Sequence, residues 1–149
     1  MNRDEVIAYH EAGHVLALVI QGCGDILDNV TLDPPQVNRS GALPPLVEAT
    51  TWLAGSCAQA RYLDVTLLDV LNEETDPNHF AMAERTLCLY DDRPDEAAEV
   101  IERYGRLPDI GDIIRRSEQL VTLHWRDIER VALALLEHGR RGCRGAAAH

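Results

Sequence analysis

The chain has 149 residues, of which 46% are hydrophobic, enough to fill one core in one domain. Against 25 acidic residues stand only 14 basic ones, a formal net charge of −11. That balance disfavours nucleic acid, whose non-specific binding rests on phosphate neutralisation, and anionic membrane surfaces.

The first predicted element is an amphipathic helix over residues 2–21. Val6, Ile7, Leu16, Val19 and Ile20 recur at helical spacing among the compact helix formers Ala8, Ala12 and Ala17. Asn2 followed by Glu5 resembles a capping box, and Gly22 and Gly24 stand where the helix should stop. Inside it lies His10-Glu11-Ala12-Gly13-His14, the HExxH pattern of zinc hydrolases. Residues four apart lie on one helix face, so both imidazoles can reach one ion. Glu11 points to the side of that face, where its carboxylate can reach a water on the metal and act as general base. Gly13 costs about 1 kcal/mol against Ala in a helix interior. Close approach of another backbone or helix would explain it.

Beyond the first helix, Val30-Thr31-Leu32 is a short strand candidate closed by Asp33-Pro34-Pro35. Gln36 to Ser40 reads as polar loop and Gly41-Ala42-Leu43 as a second short strand. Pro45 suits the first turn of a second helix over 46–63, with small residues at Ala54-Gly55-Ser56. Residues 64–72 fit strand, helix or core filler equally. Asp76-Pro77 is a helix-start signal for a third helix over 77–90. A charged, peripheral helix over 94–104 and a long apolar-faced segment over 110–138 follow. Residues 139–149, rich in Gly, Ala and Arg, read as a frayed, flexible tail after a single domain over 1–138. No apolar run spans a bilayer and no leader precedes the capped helix, so a soluble, cytoplasmic protein is expected. Cys23, Cys57, Cys88 and Cys143 form no CxxC pair and read as free thiols.

A catalytic zinc site normally takes three protein ligands and a water. The third ligand must come from outside the first helix, and the candidates are Asp76, His79, Glu73, Glu74, His124 and His138. Asp76 and His79 open the third helix, where a ligand is held by rigid structure. Asp76 also reads as a pure N-cap and His79 as a surface helix residue.

Ala8-Tyr9-His10-Glu11-Ala12-Gly13-His14 resembles the zinc-site helix of the FtsH-type (AAA-associated) metallopeptidases. Val30-Thr31-Leu32 looks like the strand that follows in that family. The stretch Ala54 to Ala60 is similar to its small-residue helix but lacks an acidic pair. Thr75-Asp76 is similar to the family's Ser/Asn-Asp start of a helix, whose Asp is the third zinc ligand. The resemblance therefore implies zinc held by His10, His14 and Asp76, with His79 as the alternative, and Glu11 as catalytic base for peptide-bond hydrolysis. It implies a mainly α (α+β), zincin-like domain with a two- to three-stranded β element beside the motif helix. The sequence contains no GxxxxGK[ST] phosphate loop. An enzyme without its own ATPase would cut peptides, loose segments or clients delivered by a protein partner. Substrate would pair with the strand at Gly41-Ala42-Leu43. The alternative is a zinc-binding regulatory or interaction domain, an inactive peptidase homologue that binds a protein partner through its acidic surface.

Overall fold

The computed structural model describes residues 2–33, 35–75 and 78–148, with 140–148 as backbone only. Helix α1 (Arg3–Ile20) begins at Asn2, whose side chain accepts from the Asp4 N–H at 2.8 Å. Glu5 closes no capping box; it accepts from the Tyr62 hydroxyl instead. The helix stops at Gly22, where φ is 81°, a left-handed value that glycine adopts without steric cost. There the N–H groups of Gly22 and Cys23 donate to the carbonyls of Val19 and Leu18, at 3.0 and 2.8 Å. These two bonds satisfy carbonyls that a helix end would otherwise leave orphaned. Val19 and Ile20, expected on the core face, are 49% and 42% exposed, while Leu18 beside them is fully buried.

Strands β1 (Leu27–Leu32) and β2 (Pro35–Arg39) form a two-stranded antiparallel sheet with Val30 opposite Val37. The second strand thus lies in the stretch read as polar loop, not at Gly41-Ala42-Leu43. Neither strand contains a fully buried residue, so the alternation that marks a strand is weak here. Leu43 is instead buried between elements, just ahead of α2 (Pro45–Leu63), which has Pro45 in its first turn as expected. An Arg39–Glu48 ion pair ties β2 to that helix.

Helix α2 runs through the middle of the molecule, with Leu53, Ala54 and Ala58 all at 0% exposure. On one side it shares a core with α1 and with Leu120, Val121, Ile128, Ala132 and Leu136 from the end of the chain. On the other it packs Ala49 and Leu53 against Leu71, Ala83 and Ile113. The ambiguous stretch resolves into α3 (Leu67–Glu73), started by a reciprocal capping box between Thr66 and Asp69. Helix α4 (His79–Leu87) starts two residues later than expected: Asn78 caps it by accepting from the Ala81 N–H at 3.0 Å. The expected start at Asp76-Pro77 lies outside the described residues. A 3-10 turn over Cys88–Asp92 leads to α5 (Pro94–Tyr104), at the expected place. The long segment then divides at His124 into α6 (Ile110–Leu123) and α7 (Trp125–Ala148). The His124 N–H still donates to Leu120, at 3.1 Å, so the chain bends with its helical bonding kept on that side. Helix α7 continues across 139–148, the stretch read as a tail. No helix among the described residues is long and apolar enough to cross a membrane. The mainly α architecture with a small β element is as expected.

The crossing of α1 and α2 is close enough to explain Gly13. A Cβ there would lie 2.5 Å from the Ala54 carbonyl oxygen and 2.7 Å from the Ala58 Cβ. Overpacking of this kind costs about 1–3 kcal/mol, against the gain of about 1 kcal/mol in helix propensity. The Gly13→Ala protein should therefore melt below wild type, at about 2–4 °C per kcal/mol lost for a chain of this size. An unchanged or higher melting temperature would show that the two backbones do not meet at this point.

Candidate metal centre

The two motif histidines sit one turn apart on the face of α1 that meets α2. Their rings lie edge to face with centroids 4.7 Å apart. His14 is buried, and its imidazole occupies the space that a side chain at position 55 would fill. A Cβ on Gly55 would come within 2.4 Å of its Nε2. The small-residue stretch of α2 thus does more than let helices approach, since it makes room for the ring.

His79, from the first turn of α4, completes the group. Its ring centroid is 4.7 Å from that of His10 and 5.2 Å from that of His14. The possible ligand atoms of His10, His14 and His79 all lie within 4.8 Å of one another. Asn78 secures the helix start that carries His79: its amide donates to the Leu71 carbonyl at 3.0 Å while its oxygen caps α4. The fold therefore brings together two possible ligands from one helix and a third from the first turn of α4.

Each imidazole has an acceptor for its Nδ1 proton. His10 Nδ1–H donates to Gln59 Oε1 at 2.8 Å, His14 Nδ1–H to the Thr51 carbonyl at 2.6 Å, and His79 Nδ1–H to Glu74 Oε2 at 2.8 Å. A neutral imidazole with its proton on Nδ1 presents a lone pair on Nε2, and this arrangement is the usual support of metal-bound histidines. The Nε2 atoms of His10 and His79 face each other at 3.3 Å. With both protons committed elsewhere, two lone pairs would be opposed there, a contact that a cation between them relieves. Burial lowers the His10 imidazole to about 4, with His79 contributing. Burial also holds His14 well below its ordinary value, with His10 and His79 adding to the effect. Burial therefore keeps these two rings neutral near pH 7, the state that binds a metal.

Glu11 lies beside this group, 5% exposed, and burial pushes its carboxyl up to about 7. Among the described residues its carboxylate has no hydrogen-bond or ion-pair partner. It lines a cleft of about 830 Å³ together with all three histidines, Trp52 and the β2 residues Pro35, Gln36, Val37 and Arg39. Trp52 also flanks the centre, with ring centroids 5.3 Å from His79 and 6.3 Å from His14.

Of the residues singled out from sequence, His10, His14, Glu11 and His79 come together. Asp76, the favoured third ligand, lies outside the described residues. Glu73, Glu74 and Thr75 line the cleft, and Glu74 bonds to His79 rather than joining the ligand group. His124 ends α6, and neither it nor His138 belongs to the group found among the described residues. Sequence reasoning missed Gln59, Thr51, Ser56 and Trp52. Their one signal is position: 51, 55 and 59 are four apart, as are 52 and 56, so these residues share the side of α2 that meets the site. Comparisons of the chain with protein-family models, with curated proteins and with solved structures find no match.

Proposed function

We propose that the protein is a zinc-dependent hydrolase of the metallopeptidase kind, with His10, His14 and His79 as metal ligands and Glu11 as general base. The observation that carries this reading is the convergence of these histidines, their Nδ1 protons all committed, beside a buried carboxylate that lacks a partner among the described residues. The 3.3 Å between His10 Nε2 and His79 Nε2 fits zinc. Two ligands on a tetrahedron with Zn–N bonds of about 2.0–2.1 Å lie about 3.3–3.4 Å apart. A set of imidazoles suits zinc more than magnesium or calcium, which prefer oxygen. Zinc bound here would supply a Lewis acid and bring the pKa of a water toward neutrality.

The chain's own residues supply the rest. Glu11, desolvated and raised to about 7, is poised to take a proton on its carboxylate near neutral pH and return it to a leaving amine. Strand β2 borders the cleft and, among the described residues, pairs only with β1. Its other edge can align an extended peptide by strand addition. This replaces Gly41-Ala42-Leu43 as the element that would present substrate. Trp52 stands against the rings of His79 and His14 in the wall of the same cleft. Structural zinc sites usually close with a fourth protein ligand. The described group has three, in the wall of an open cleft, which favours turnover over a purely regulatory zinc domain. Peptides, loose segments or clients delivered by a partner remain the proposed substrates.

Metal analysis of the purified protein should give about one zinc per chain. His10→Ala, His14→Ala and His79→Ala should each lose most of it in equilibrium dialysis. Retention of wild-type zinc content by His79→Ala would return the third ligand position to Asp76. Glu11→Gln should keep the metal but cut hydrolysis of an unstructured protein substrate by about 100-fold or more. Undiminished cleavage with metal bound would remove Glu11 from the mechanism.

The metal-free protein offers a separate test of Glu11. Its folded carboxyl is raised to about 7 from an ordinary 4.5. Its contribution to stability is thus fully present below 4.5 and lost as pH rises through 7. Glu11→Gln should therefore raise the melting temperature of chelator-treated protein at pH 8 and change it much less at pH 5. An equal effect at both pH values would mean that the carboxylate is not held desolvated.

A further inference from the structure

Glu74 joins two elements at the metal centre. Its Oε1 accepts from Ser56 Oγ on α2 at 2.6 Å. Its Oε2 accepts from both the backbone N–H and Nδ1–H of His79, each at 2.8 Å. The side chain is only 12% exposed. Burial by itself would raise this carboxyl, but the bonds from His79 and Ser56 outweigh it and hold the group below its ordinary value.

His10 and His14 have no need of such a device. Both ride on α1, and their Nδ1 acceptors belong to α2, the helix against which α1 is closely packed. His79 arrives from a different element. Asn78 holds the start of α4 through Leu71 and Ala81, but it does not touch the imidazole. Without an acceptor at Nδ1 the His79 ring could turn about its side-chain torsions. It could also shift its proton to Nε2, which would block the ligand atom.

We propose that Glu74 is the positioning residue that makes His79 a metal ligand and so sets the affinity of the centre for a divalent cation. It fixes the proton on Nδ1, orients the ring toward His10 and His14, and docks that ring to α2 through Ser56. A carboxylate bonded to a ligating imidazole also increases the electron donation of that imidazole to the metal. This inference rests on the three-histidine reading above. Glu74 thereby leaves the set of candidate ligands and takes a different part in the same site.

The test measures zinc affinity by competition with a chromophoric chelator, and the visible spectrum of the cobalt-loaded form, on the full chain. Glu74→Gln preserves the shape of the contact. Its amide oxygen can accept from His79 and its amide nitrogen can donate to Ser56 Oγ, so the contact keeps its shape while the charge is removed and the Ser56 bond reverses its direction. Glu74→Ala removes the contact as well. Zinc affinity should fall about 10-fold in the first and about 100-fold in the second. The metal-free Glu74→Gln protein should stay folded and melt somewhat below wild type at pH 7, since the charge that His79 and Ser56 stabilise is gone. In Glu74→Ala the cobalt spectrum should lose the intense bands of a four-coordinate ion, a change that loss of fold stability alone would not cause. His79→Ala serves as the reference for a missing ligand. If both Glu74 variants bind zinc within about twofold of wild type while His79→Ala does not, Glu74 has no positioning role and the three-histidine centre stands. If wild type binds no zinc, or His79→Ala binds it as tightly as wild type, both readings fall together.

Discussion

The close crossing of α1 and α2 is the constraint on which the remainder of the site depends. Gly13 brings α1 against the Ala54 carbonyl and the Ala58 methyl, and Gly55 brings α2 against the imidazole of His14. A larger residue at position 13 would push the two helices apart, and one at position 55 would displace the His14 ring. The Thr51 carbonyl would then leave the reach of His14 Nδ1, and Gln59 that of His10 Nδ1. Because the helices run antiparallel, each motif histidine meets its own acceptor. His14 meets Thr51, and His10, one turn earlier on α1, meets Gln59 two turns later on α2. Ser56, beside Gly55, reaches the other way to Glu74. One helix face therefore supports all three histidines, directly or through a single intervening carboxylate.

That support comes with an energetic imbalance. A polar group buried without a hydrogen bond costs about 1–3 kcal/mol by mutational measures. The centre places three Nε2 lone pairs and the Glu11 carboxylate in or near the interior, while each Nδ1 proton is satisfied. The dense alanine packing of α1 and α2, with Ala8, Ala12, Ala17, Ala54 and Ala58 at 0% exposure, offsets that cost. Local imbalance of this sort inside an otherwise consistent fold is what a functional site looks like. A cation among the Nε2 atoms would remove the opposed lone pairs and give the Glu11 carboxylate a nearby positive charge, so the same ion would stabilise the fold and serve the chemistry.

Where local chemistry decided the structure, the sequence was readable. Asn2, Gly22 and Pro45 mark the bounds of α1 and α2, and Pro94 marks α5. The motif histidines could be placed on one face from their spacing alone, and the need of Gly13 for a close neighbour followed from its helix cost. Where tertiary contact decided, the sequence was silent. Strand β2 is mostly polar, because it is covered on little more than one side and only Val37 and its partner Val30 mark the register. No glycine or proline marks the bend at His124. His79 resembles a surface helix residue until α4 is docked on α2, and nothing near it in the chain points to His10. Glu74 was legible as a carboxylate near the site but not as a partner of His79, since only the folded distance separates a ligand from the group that orients one.

The identity of the third ligand also changes the electrostatics. A carboxylate in that position would contribute a negative charge to the ligand set, whereas three neutral imidazoles contribute none. With His79 as the third ligand, the negative charge would stand one bond network further out, on Glu74, and Glu11 has no partner among the described residues. An ion held by three neutral imidazoles would leave the ligand set with a net double charge, so it would polarise a substrate carbonyl more than with an acidic ligand, an advantage that electron donation through Glu74 and His79 would moderate. The arrangement separates two tasks that one carboxylate might otherwise share. In the proposed centre Glu74 would fix the geometry of His79 while Glu11 would handle protons, although both carboxylates line the same cleft.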